Sequence, residues 1–146
     1  MVEKTRVTET LGDRLDAVRE RIVRAAQTAG RHASDITLVA VTKVFPASAI
    51  QSAFAAGLRD FGENYVQEFE AKYPEVAALA GARFHLIGHL QSNKARRAAE
   101  LFHTIQTLDT PKLARNLWLG QDIADFKVEL PLTIKPHETI LLKITQ

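Results

Sequence analysis

The side chains with chemistry to offer gather in three short stretches. The first is LVAVTKVFP, residues 38–46, where Lys43 sits near the end of an otherwise apolar run. At the carboxyl end of a buried strand, flanked by Val41 and Val44, a lysine loses hydration, which disfavours its charged form and lowers its pKa. A neutral amine is a nucleophile that can form an imine with an aldehyde. The plainer alternative is a lysine at a strand end whose head group reaches into water, and the stretch taken alone favours it. The second stretch is FGENYVQE, residues 61–68. Gly62 permits a tight turn, and the Asn64 amide either caps the next helix or lies where a ligand would sit. Glu68 lies a little beyond capping-box spacing from Asn64.

The third stretch is HLIGHLQSNKARR, residues 85–97. Gly88 ends a strand, and Ser92 or Asn93 can cap a helix that begins at Lys94. Lys94, Arg96 and Arg97 then crowd the first turn, where the helix dipole disfavours cations by about 0.3–1 kcal/mol each. A nearby anion would relieve that, but a solvated basic face is the simpler account. His85 and His89 fall on strand and loop rather than on one helix face, so they do not form a metal pair. His85 reads as a hydrogen-bonded core histidine. No phosphate-binding glycine loop, nucleophile elbow or zinc-binding helix signature occurs.

Apolar residues Leu11, Leu15, Val18 and Ile22 predict an amphipathic helix over 10–29, ending near Gly30. Residues 36–45 read as a strand buried on both faces, because the apolar run does not alternate. Pro46 suits the first turn of a helix over 47–56, stopped by Gly57. A strand over 58–62 leads to a helix over 65–73 that Pro74 interrupts. A strand over 83–87 and a helix over 94–100 follow, then a strand over 102–108 and a helix from Thr110 to about Leu117. This alternation argues for parallel strands with helices outside: half of an eight-unit (β/α) barrel, or the core of an open α/β sheet. From Phe126 the apolar period becomes two, which predicts a β-hairpin around 135–138, with Pro131 on an edge strand.

The 146 residues are 46% hydrophobic, enough for one core and one domain. Nineteen Lys and Arg against seventeen Asp and Glu give +2, too even to imply nucleic acid or an anionic membrane. The absence of cysteine excludes disulfides, thiol nucleophiles and thiolate metal sites. The first residues lack the apolar core of a signal peptide, and no run approaches the ~18 apolar residues of a membrane span. The expectation is a soluble, cytoplasmic protein.

Together and in this order, LVAVTKVFP, FGENYVQE and HLIGHLQSNK resemble the pyridoxal phosphate homeostasis protein family. The resemblance covers about residues 11–117. It implies the alanine-racemase type of (β/α) barrel, and so an α/β fold of about four β/α units over 1–117 with an atypical hairpin tail over 118–146. It implies pyridoxal 5′-phosphate (PLP) as cofactor, held without an established turnover, with apo-enzymes as recipients; the alternative is a PLP enzyme of the same barrel group, an amino-acid racemase or decarboxylase. Carried over by motif, Lys43 is the Schiff-base lysine, and Asn64 lies beside the cofactor. His85, Gly88, Gln91, Asn93 and Lys94 match the third motif, which lines the same mouth less directly. The resemblance implies no metal and no catalytic residue. Family members complete eight strands, and their phosphate-binding turns have no counterpart in this sequence. A half barrel leaves two edges and an apolar face open. Either the hairpin and a second subunit cover them, or the chain is a truncated or fused product that keeps the lysine and has lost the phosphate grip.

Overall fold

The computed structural model describes residues 10–107 and 109. Among them the elements run α1 (Leu11–Thr28), β1 (Val39–Val41), α2 (Ala47–Ala55), β2 (Asp60–Glu63), α3 (Val66–Val76), β3 (Arg83–Leu86), α4 (Ala95–Leu101) and β4 (Thr104–Ile105). Helix α1 starts on a reciprocal cap. The Asp13 N–H donates to the Thr10 hydroxyl at 3.2 Å, and the Thr10 N–H donates to the Asp13 carboxylate at 2.9 Å. Such pairs satisfy donors that the first helical turn leaves over.

The four strands form one parallel sheet in the order β1-β2-β3-β4. Val41 pairs with Gly62, Gly62 with His85, and His85 with Thr104. Sequential order is that of a segment of a (β/α) barrel; a doubly wound sheet reverses its strand order partway. The α/β class and the parallel sheet expected from the sequence are present.

Strand alternation divides the side chains. Phe61 and Glu63 on β2, with Phe84 and Leu86 on β3, are buried on the side of the helices. There the Phe69 ring of α3 packs tilted against Phe84 at 4.7 Å and Phe102 at 4.8 Å, and edge-to-face against Tyr73 at 5.7 Å, centroid to centroid. Ile50 of α2, Val76 of α3 and Ala98 of α4 complete this core.

Three expectations need correction. The first strand is Val39–Val41 only, and it is not buried on both faces: Val41, Val44 and Phe45 are 51%, 78% and 56% exposed. The physical reason is position, since β1 pairs with β2 alone and stands at an edge of the described sheet. Pro74 does not interrupt α3, which continues to Val76. Proline removes one backbone donor near the helix end, while fully buried Val76 anchors the turn beyond it. Neither Asn64 nor Asn93 caps a helix: Tyr65 occupies the N-cap of α3, a 3-10 turn (Ser92–Lys94) precedes α4, and no side chain caps either helix start. The helix expected from Thr110 and the hairpin expected beyond Phe126 lie outside the described residues. Among the described residues no helix is long and apolar enough to cross a membrane.

Candidate functional site

Parallel strands put all their carboxyl ends on one side, and three of the expected site residues collect there. Thr42 continues the β1 ladder by donating its N–H to the Gly62 carbonyl at 2.9 Å. The chain then turns at once: the Phe45 N–H donates to the Thr42 carbonyl at 3.1 Å, so Lys43 and Val44 form the corner. Val44 has φ 61°, in the left-handed region. A β-branched residue is strained there, by about 1–3 kcal/mol. Lys43 itself is exposed. With Val41 and Val44 also exposed, the desolvation expected at this lysine is not found. Exposure instead leaves the ε-amino group open to a ligand.

The turn is fastened from below by α3 and β2. Fully buried Glu63 accepts the Thr42 hydroxyl at 2.8 Å. Lys72 donates to both Glu63 oxygens, at 3.2 and 3.0 Å, and to the Thr42 carbonyl at 3.2 Å. It also lies 2.8 Å from Glu68 Oε1, the same atom that accepts the Val44 N–H at 2.6 Å. Burial works against the charge of Lys72, but hydrogen bonds to Glu68 and Glu63 outweigh it and raise its pKa above the ordinary lysine value. The hydrogen bond from Lys72 lowers the Glu68 pKa against its own burial, with the Val44 N–H assisting. Sequence reasoning missed this network, though Glu68 and Lys72 at i,i+4 on a predicted helix are a known pairing signal.

Asn64 lies two residues past the Val41–Gly62 register pair, as Lys43 does, so the two occupy neighbouring strand ends. Gly88 packs against it so closely that a Cβ there would sit 2.3 Å from the Asn64 carbonyl oxygen. The Thr107 hydroxyl in turn donates to the Gly88 carbonyl. Glycine at position 88 is thus what lets the ends of β2 and β3 meet.

His85 sits one layer deeper, buried within the sheet. Its Nε2 lies 2.8 Å from Asp60 Oδ1 and its Nδ1 lies 3.3 Å from the Gln106 amide, so both ring nitrogens have partners. Asp60 also takes a two-point contact from Arg83, at 2.7 and 2.6 Å. Among the basic residues of α4, Arg97 meets Glu70 and Glu100, each at 2.7 Å, and Arg96 lies 3.6 Å from Glu100. Protein carboxylates thus answer the charges of Arg96 and Arg97, where the sequence favoured a solvated basic face.

An exposed amine at the end of the first strand of a sequentially ordered parallel sheet has the layout of a (β/α) ligand-binding domain, whose sites lie at that end. No protein-family model matches the sequence. The chain is 46% identical over 108 residues to the pyridoxal phosphate homeostasis protein of Pseudomonas aeruginosa, a match covering 74% of this chain and 46% of that one. It is 46% identical over 105 residues to the Escherichia coli K12 protein of the same name, covering 70% and 45%. Among solved structures it is similar to PipY of Synechococcus elongatus without PLP, with TM-score 0.64 and 42% identity, over 74% of this chain and 46% of that one. PipY with PLP bound gives TM-score 0.62 and 40% identity. The matched segment is homologous to the pyridoxal phosphate homeostasis proteins, as its three motifs imply. The chain spans about half the length of these relatives.

Proposed function

We propose that this chain binds pyridoxal 5′-phosphate, with the Lys43 ε-amino group as covalent partner of the cofactor aldehyde, and serves PLP homeostasis rather than substrate turnover. The carrying observation is the exposed Lys43 on a fastened turn at the strand ends, in a chain 40% identical to a PipY structure with PLP bound. PLP, when bound, supplies an aldehyde that an amine captures and a phosphate that anchors it. The donor set fits the first requirement, since Lys43 is open to solvent while Lys72 is consumed by carboxylates. Asn64, with Gly88 packed on its backbone, borders the same opening and is assigned to orient the ring. His85 supports this mouth from beneath, through its bonds to Asp60 and Gln106. Phosphate anchoring is assigned to elements that the described residues do not supply.

This reading makes residues 1–117 a segment of an alanine-racemase-type barrel and 118–146 a separate tail. It assigns apo-enzymes as recipients of the cofactor, a cytoplasmic setting, and a homodimer as one way to cover the open sheet. The test is reduction with borohydride after incubation with PLP, followed by peptide mapping. Label is expected on Lys43 and lost in Lys43→Ala, with an unchanged unfolding transition because the side chain is exposed. Equal labelling of that variant would overturn the assignment.

A further inference from the structure

The two peptide groups on either side of Lys43 are held by opposite ends of one ion pair. Lys72 takes the carbonyl of the peptide before it, at Thr42, and Glu68 takes the N–H of the peptide after it, at Val44. We propose that Glu68 and Lys72 are positioning residues for Lys43, clamping its turn in the strained geometry that sets the direction of its side chain. This rests on the assignment of Lys43 as the aldehyde-binding amine.

The strain is what makes a clamp necessary. At φ 61° a valine sits where a type I′ or II turn would use glycine or asparagine. Left alone, it would relax to negative φ, rotating the Lys43–Val44 peptide and redirecting Lys43. The hydrogen bond from Val44 to a carboxylate is the charge-assisted kind, roughly twice as strong as a neutral one. Glu68 is itself fixed by Lys72, and Lys72 by Glu63, which is rooted in the central strand β2 and fully buried. The clamp therefore refers the position of Lys43 to the rigid core rather than to the edge strand that carries it. It also separates two lysines of the same neighbourhood by role. Lys72 is committed as a cation between two carboxylates, which leaves Lys43 as the group that meets an aldehyde.

Two measurements on the full chain test this: hydrogen exchange at the Val44 amide without cofactor, and the rate of borohydride-fixed PLP labelling at Lys43. Glu68→Ala is expected to speed Val44 exchange about tenfold to a hundredfold, through loss of a hydrogen bond to a charged acceptor. It is also expected to slow Lys43 labelling about tenfold, the reactive group being misdirected. Glu68→Gln keeps an oxygen acceptor for the Val44 N–H, so most of the exchange protection should remain. Adding Val44→Gly to Glu68→Ala should restore labelling, because glycine takes positive φ without strain. A merely structural ion pair would not be rescued by a residue that adds no contact. Wild-type labelling rates in Glu68→Ala, or unchanged Val44 exchange, would overturn the clamp while leaving Lys43 as the binding residue. If the wild-type protein takes no label at Lys43, the assignment of Lys43 falls, and the clamp's functional role falls with it.

Discussion

The side of the sheet that meets the helices and the corner that carries Lys43 belong to one sheet and are opposite in construction. On the helix side, Phe61, Phe69, Phe84 and Leu86 are almost wholly withdrawn from water and held by non-directional packing. At the corner, Val44 and Phe45 stand in solvent and the backbone is strained. Directional bonds from Glu68, Lys72 and Glu63 replace packing there. Packing is non-directional, whereas hydrogen bonds fix the direction of the groups they join. Non-directional packing and directional bonding thus hold different parts of one sheet, with α3 serving both. Its Phe69 fills the core and its Glu68 and Lys72 grip the turn.

The contrast is broken most severely by Phe69→Ala. Its ring touches Tyr73, Phe84 and Phe102, so truncation opens a cavity at the centre of the core. A loss of about 3–5 kcal/mol is expected in denaturant unfolding. At low denaturant, where the chain is still folded, labelling at Lys43 should persist. Loss of labelling in the folded variant would show that the two regions are not separable.

How far the sequence reveals each region follows from the same division. Helix α1 was legible because Leu11, Leu15 and Ile22 recur at helical spacing behind Thr10, and the parallel order because strands alternate with helices over short loops. The extent of β1 was not legible, because a continuous apolar run looks the same whether a strand is central or at an edge. Lys43, Asn64 and Gly88 were named by motif, yet the physical reason given for Lys43, desolvation, does not hold at an exposed corner. The clamp was hidden because Glu63 and Lys72 are distant in sequence from the turn they hold. Only the i,i+4 spacing of Glu68 and Lys72 announced half of it. Gly88 looked like a strand terminator, and the contact that requires it, with the Asn64 backbone, is tertiary.

Gly88→Ala sharpens the comparison from the reactive side. The new methyl would fall 2.3 Å from the Asn64 carbonyl oxygen and 2.7 Å from its Cα, atoms of backbone that cannot simply rotate away. The strand ends must separate, at about 1–3 kcal/mol in thermal unfolding. Labelling at Lys43 should weaken more than this destabilisation accounts for, because the loop bearing Asn64 moves. A variant that loses stability alone would remove Asn64 from the site.

The smallest effect concerns the charges beneath the mouth. The Arg83 hydrogen bond lowers the Asp60 pKa below its ordinary 3.8, against the opposing effect of burial, and His85 adds to the lowering. A carboxyl group depressed in the folded state contributes stability that is complete above its unfolded value and lost as pH falls through the folded value. Arg83→Met removes the largest cause, so wild type and variant should differ at neutral pH and converge well below pH 3.8. Because the Arg83 side chain is 56% exposed, solvent screening holds the neutral difference to about 1 kcal/mol or less. Urea unfolding of both proteins across this pH range reads it directly. A difference that persists undiminished in acid would assign the contribution of Arg83 to the packing of its stem, and the polar layer under the strand ends would then be held by contact rather than by charge.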